Sequence, residues 1–204
     1  MPNIKVGFIL GGVSLNLMDM NTEVFYKING LSEELPLLNQ PMIYIASYTL
    51  YVLILAVVYY LIKGSQNRIM AVSAMLSVGV AVLLGRVAGI FHSNNQPFAE
   101  LPNVNQLIEK AVNNSFPSDH TMIFFAVCFT FFLFKKPGRY LWMALACLVG
   151  FSRIWVGVHY PGDIIVAAIL AMLSAYLLFV TVSKLKLRNR KEQLELPITK
   201  EKDF

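Results

Sequence analysis

Five apolar runs, each close to the length of a bilayer crossing and separated by polar breaks, constrain this chain more than any other feature. They cover residues 41–62, 69–90, 118–134, 140–155 and 163–182. About 20 apolar residues in a helix cross the hydrocarbon core, and an open strand there would leave its backbone N–H and C=O groups unpaired. The expected fold is therefore all-α, an integral membrane helical bundle of about five transmembrane helices with short interfacial helices. A soluble domain of 204 residues could bury a core without such runs, and with 56% hydrophobic and only 14% charged residues the chain has little polar surface to offer water. The third and fourth runs are short for a span, which predicts that their ends lie in a polar cavity.

Charge gives the orientation. The net charge of +5 would suit nucleic acid if it were spread along a face, but it is gathered in three places. Lys63 and Arg68 form one cluster, Lys135, Lys136 and Arg139 another, and Lys184, Lys186, Arg188, Arg190 and Lys191 a third. If the chain crosses at each run, all three fall on one side, the cytoplasmic side by the positive-inside rule. Nucleic acid is thereby excluded as a partner, and anionic lipid remains a secondary contact for the tail. Cys128 and Cys147 lie inside apolar runs and read as free core thiols.

Three regions flank the runs. Residues 1–20 form an extension in which 6–17 is apolar but too short to span. Its lone Lys5 and lack of a cleavage site argue against a signal peptide. Either translation begins at Met18 or Met20, or the segment dips into the membrane and a sixth span arises. Residues 21–185 form the membrane domain, and 186–204 a polar, basic cytoplasmic tail, a frayed helix followed by disorder. Two short amphipathic helices are expected. One is at 21–30, with Val24, Phe25 and Ile28 on one face; the other is at 103–112, with Val104, Leu107, Ile108 and Ala111 at helical spacing.

The chemistry sits in two stretches, Phe116-Pro-Ser-Asp-His120 and Ser152-Arg-Ile-Trp-Val-Gly-Val-His-Tyr-Pro-Gly-Asp163. Both lie at the ends of apolar runs, where unpaired polar groups would be costly and a built site is the economical explanation. All three histidines, His92, His120 and His159, fall on the outer side of the expected topology. His92 reads as an interfacial residue. Trp142, Trp155, Tyr140 and Tyr160 read as membrane-interface aromatics.

The pattern Ser-Arg-x5-His-x3-Asp, with Pro-Ser-x-His upstream, resembles the type 2 phosphatidic acid phosphatase superfamily, which also includes vanadium haloperoxidases. That resemblance implies a phosphatase that uses a histidine nucleophile and neither metal nor other cofactor. His159 would attack phosphorus, and Asp163 would fix its tautomer and stabilise the imidazolium. Arg153 offers a bidentate fork for phosphoryl oxygens, with Ser152 close to the same helix face. Ser118 opens the third run, where a hydroxyl and helix N-terminal N–H groups suit an oxyanion. His120 would protonate the leaving oxygen and later deprotonate water. Asp119 stands where the superfamily usually has glycine, as in its bacterial prenyl-pyrophosphate branch, and should point away from phosphate.

The superfamily's first motif, Lys-x6-Arg-Pro, is degraded. Gln96 replaces its arginine, and Gly89 stands at the lysine position. Arg86 supplies the missing charge or is a structural arginine; Lys110 is a weaker substitute, expected on the solvated face of the loop helix. The tract Arg86-Val-Ala-Gly-Ile-Phe-His-Ser-Asn-Asn-Gln-Pro-Phe98, with Asn-Ser-Phe-Pro-Ser-Asp-His120, is similar to the bacitracin-resistance undecaprenyl-pyrophosphate phosphatases of Gram-positive bacilli. This implies a lipid pyrophosphate substrate met at the extracytoplasmic face of the cell membrane, with no obligatory protein partner. Another lipid phosphate, phosphatidate or phosphatidylglycerol phosphate, would use the same residues, and a bacitracin transport permease subunit is the non-enzymatic alternative.

The topology is open to test. Cysteines introduced at Ser93 and Tyr160 should react with an impermeant reagent on intact cells, and those at Gln66, Pro137 and Asn189 should not. Labelling at position 66 would invert the orientation.

Overall fold

A computed structural model of the chain describes residues 7–10 and 13–195. Its first elements are the strands β1 (Gly7–Leu10) and β2 (Val13–Asn16), paired antiparallel with Gly7 opposite Asn16. The apolar extension is thus, in its described part, a ribbon of two four-residue strands preceding the helical bundle. Strands this short, with open edges, cannot cross lipid. The helix expected at 21–30 is longer than its pattern suggested: α1 runs Leu17–Glu34.

The bundle consists of α2 (Asn39–Ile62), α3 (Ser65–Phe91), α5 (Asp119–Leu133), α6 (Arg139–Trp155) and α7 (Pro161–Glu195). A single turn, α4 (Pro97–Glu100), lies between α3 and α5. Among the described residues, three segments are long and apolar enough to cross a membrane: Pro36–Ile62, Ser65–Phe91 and Pro161–Arg188. The others are shorter, 15 residues in α5 and 17 in α6, or about 22 and 25 Å of helix against a hydrocarbon core of about 30 Å. α7 continues past the expected boundary at 185, so the basic tail begins as helix; residues 196–204 lie outside the described part.

α5 is the central post, packed against α3, α6 and α7. Phe124, Ala126, Cys128 and Phe131 on it are fully buried, with Met70, Ala74 and Ala81 of α3 and Ala167 and Ala171 of α7. Alanine recurs where helices meet because, in lipid, close backbone approach and dispersion replace the hydrophobic driving force. The outer faces carry exposed Leu55, Leu83 and Ile90, an arrangement suited to hydrocarbon and not to water.

The two ends of the bundle differ. At one, the basic clusters come together: Lys136 Nζ donates to Asn67 Oδ1, and Lys186 Nζ to Gln66 Oε1. The other end gathers the termini of α3, α5, α6 and α7 beneath α1 and the loop 92–118. The helix expected at 103–112 is absent from that loop. Leu107 N–H instead bonds Val156 O, and Asn105 N–H bonds Asn29 Oδ1. Tertiary acceptors have taken the donors a helix would have used. The apolar pattern still reported burial, because Val104, Leu107 and Ile108 pack inward. Trp155 and Tyr160 are also inside rather than at the interface: Trp155 Nε1 donates to Asn39 Oδ1, and Tyr160 OH to Glu100 Oε2.

Asn29 ties this end together. It is buried on α1, and its Nδ2 donates to both Asn105 O and Trp155 O. Gly157 lets the same loop close, with φ +83° and Asn105 O only 2.6 Å from where a Cβ would stand. Gly157→Ala should therefore destabilise the fold, by roughly 1–3 kcal/mol for the left-handed backbone alone, read as a lowered Tm in detergent.

Candidate active site

His159 lies between α6 and α7, held by the turn that starts α7, and is 3% exposed. Pro161 and Gly162 open α7, so Asp163 falls in its first turn. The Asp163 carboxylate is turned back over the loop: its Oδ2 accepts from Tyr160 N–H at 2.9 Å and lies 3.4 Å from His159 Nδ1. The shorter connection runs through Ser115, whose Oγ is 3.1 Å from His159 Nδ1 and donates to Asp163 Oδ2 at 2.5 Å. That second distance is typical of a hydroxyl bonded to an ionised carboxylate.

Only one tautomer fits these contacts. With Ser115 donating to Asp163, its oxygen accepts the Nδ1 proton, and the His159 Nε2 lone pair faces the other way. Burial pushes the His159 pKa down to about 4, with Lys110 and Arg153 adding to the depression and the hydrogen bond to Asp163 opposing it. The imidazole is neutral near pH 7, with a lone pair on Nε2.

Arg153, 4% exposed near the end of α6, donates from one guanidinium nitrogen to Ala46 O at 3.0 Å. Its buried Nε has no hydrogen-bond partner among the described residues. His120, in the first turn of α5, lies within electrostatic reach of both Arg153 and Lys110. Ser118 caps α5 without exposure; its N–H bonds Asp163 O at 3.3 Å, and its Oγ accepts from Thr121 Oγ1. His159, His120, Asp163, Arg153 and Ser118 are thus brought to one end of the bundle.

The remaining expected residues are used differently. Ser152 is buried and donates to Val149 O of its own helix. Gln96 is fully buried, and both ends of its amide engage Asn113, fastening the two sides of the loop. Arg86 pairs with Asp119 at 3.3 Å, both side chains well exposed. The pair lines a cavity of about 160 Å³ with Asn114, Phe116 and Pro117. Gly85 and Gly89 form its α3 wall and allow Met122 and Asn114 to approach closely. Asp119 therefore faces Arg86. His92 stacks edge-on against Phe116.

One residue was not assigned to the site from sequence, and another was ranked low there. Ser115 stands one residue before the Phe-Pro-Ser motif and had the look of solvated loop; only its three-dimensional position between His159 and Asp163 reveals it. Lys110, expected on a solvated helix face, is half-buried instead, with Nζ 2.9 Å from His159 Nε2. Its signal was faint, a lone cation in a loop otherwise rich in asparagine.

Comparison with known proteins gives the family and the fold. The profile of the PAP2 superfamily matches residues 70–187. The chain is 47% identical over 172 residues to the bacitracin transport permease protein BcrC of Bacillus licheniformis, covering 84% of this chain and 85% of that protein. It is 31% identical over 162 residues to the undecaprenyl-diphosphatase BcrC of Bacillus subtilis (strain 168), covering 78% and 83%. Among solved structures, Aquifex aeolicus LpxE superimposes with a TM-score of 0.67 at 24% identity, covering 78% of this chain and 94% of that one.

An exposed ion pair contributes little to stability, typically below about 1 kcal/mol. Arg86→Ala should leave the Tm in detergent nearly unchanged. A large drop would make Arg86 a structural arginine.

Proposed function

Because this chain belongs to the PAP2 superfamily, we propose that it hydrolyses undecaprenyl pyrophosphate to undecaprenyl phosphate and inorganic phosphate through a phosphohistidine. The observation that carries the reading is His159: buried, neutral, its Nδ1 proton committed to Ser115 and Asp163, its Nε2 lone pair unprotonated. Such an imidazole is prepared for attack and gains a counter-charge as it becomes cationic.

In the first step Nε2 bonds to the terminal phosphorus as the bridging P–O bond breaks. His120, at the mouth of α5, gives its proton to the departing oxygen and then takes one from the water that cleaves the N–P bond. The unfilled Nε of Arg153 is the donor that a phosphoryl oxygen would satisfy, and a buried unpaired donor calls for such an explanation. The N-terminus of α5 at Ser118 supplies further N–H groups. Arg86 at the neighbouring cavity is suited to the second phosphate. Among the described residues no three His, Cys, Asp or Glu side chains gather as metal ligands, and the proposed chemistry needs none.

The protein is a multi-pass membrane protein. We place its site on the extracytoplasmic face of the cell membrane, because the opposite end carries the basic clusters. There it would recycle the lipid carrier left by cell-wall polymerisation and so deprive bacitracin of its target. The name of the Bacillus licheniformis relative raises transport as a competing reading. Transport paths string charged side chains through the membrane depth, whereas Arg153, His159 and Asp163, the buried Asp, Glu, His, Lys or Arg side chains among the described residues, share one end.

Purified protein in excess chelator should release phosphate from undecaprenyl pyrophosphate, and rapid quench should trap acid-labile phosphohistidine. His159→Ala should abolish both. His120→Ala should lose about 10²–10⁴ in rate, and Ser115→Ala about ten- to a hundredfold through a lost charge-assisted hydrogen bond. Normal turnover in His159→Ala would overturn the mechanism. Preference for phosphatidate or phosphatidylglycerol phosphate in a lipid panel would overturn the substrate.

A further inference from the structure

Lys110 occupies the space that the proposed attack needs empty. Its Nζ lies 2.9 Å from His159 Nε2, and a phosphorus poised for in-line attack would stand about 3–3.5 Å from the same nitrogen. The ammonium and the phosphoryl group cannot both hold that position. The backbone leading to Lys110 is fixed by Asn105 and Leu107, bonded to Asn29 and Val156, but its four-carbon stem is free to swing.

We propose that Lys110 is a displaceable cation, capping the nucleophilic nitrogen of the empty site and passing to the phosphoryl oxygens when the terminal phosphate enters. This rests on the phosphatase reading and adds a residue that selects for a terminal phosphate with more than one negative charge.

Electrostatics decide which way the exchange runs. In the empty site the ammonium donates to a neutral imidazole and is spared an unpaired existence in a half-buried position. With substrate present it trades that acceptor for an anion, and in a poorly solvated site the charged partner prevails. The swap also frees the Nε2 lone pair, so release of the nucleophile and capture of the phosphate are one motion. A monoanionic headgroup would compete less well for the ammonium and leave the cap in place.

Lys110 touches His159, and the charged or titratable groups within its electrostatic reach are Arg153 of α6, Asp119 and His120 at the start of α5, and Asp163 of α7. Burial and Arg153 lower its pKa to about 8, against the pull of the two aspartates. The protonated form is the one that works. Its contribution is present below about 8 and lost as pH rises through that value.

The test has two readouts. The first is the pH profile of kcat/KM on a soluble short-chain prenyl pyrophosphate. Wild type should show an alkaline limb near pH 8. Lys110→Met should fall about ten- to a hundredfold at neutral pH and lose that limb. Lys110→Arg should keep most activity and carry the limb beyond pH 10, since guanidinium stays charged. The second readout is modification of His159 by diethyl pyrocarbonate in substrate-free protein, followed by peptide mass spectrometry. Uncapping should speed it at least fivefold in Lys110→Met. An alkaline limb unmoved in both variants, or an unchanged His159 modification rate in Lys110→Met, would overturn the proposal. If wild type itself fails to hydrolyse prenyl pyrophosphate, the phosphatase reading falls, while the modification rates still decide whether Lys110 caps His159.

Discussion

Oδ2 of Asp163 is the meeting point on which the site depends. Three elements converge there: the loop before α5 through Ser115, the turn before α7 through Tyr160 N–H, and His159 itself. The backbone of the same aspartate receives Ser118 N–H at the head of α5. One residue thus fixes where α5 begins, how the loop 92–118 ends and which way the imidazole turns. Its charge costs less than a buried carboxylate normally would, because short charge-assisted hydrogen bonds replace the lost water.

Around that point, the loops are held by side chains and not by regular structure. Asn29 on α1 reaches both the end of α6 and the loop at Asn105, and Asn21 of the same helix accepts from Gly162 N–H at 2.8 Å. α1 therefore works as a strap laid over the mouth of the bundle, its polar face engaged downward. Gln96 and Asn113 pin the two limbs of the long loop to each other. An amphipathic helix whose pattern suits the membrane surface is put to structural use over the site, with Phe25, Asn29 and Ser32 buried.

Much of this was legible in the sequence, for reasons that differ by element. Apolar run length predicted α2, α3, α5, α6 and α7, because in lipid a segment must satisfy its own backbone. Motif spacing singled out His120, Arg153, His159 and Asp163, which the fold brings to one end of the bundle because they stand at helix ends that the apolar runs already marked. Residues 103–112 misled for a physical reason. Helical spacing there reports which side chains turn inward, but Asn29 and Val156 offered the backbone better acceptors than its own carbonyls. Ser115 was invisible as a site residue and Lys110 only a weak candidate, because their place is set by contacts to positions 44 to 49 residues away. Gln96 fills the place of a lost arginine by bracing the loop with its neutral amide.

Arg153 is bonded to the carbonyl of Ala46, on α2. Only Ala46 and Leu53 of that helix are fully buried, while Ile45, Leu50 and Val57 pack partly buried against the core and Tyr44, Tyr51 and Leu55 face outward. The guanidinium proposed to hold phosphate is thus moored to the bundle helix with the fewest fully buried residues. The 27-residue apolar segment that includes α2 is longer than a hydrocarbon core of about 30 Å, and such a mismatch is accommodated by tilting within the limits its packing sets. Because Ala46 O holds the guanidinium, a change in the tilt of α2 would be passed to Arg153, which couples this corner of the molecule to the thickness of the lipid sheet around it.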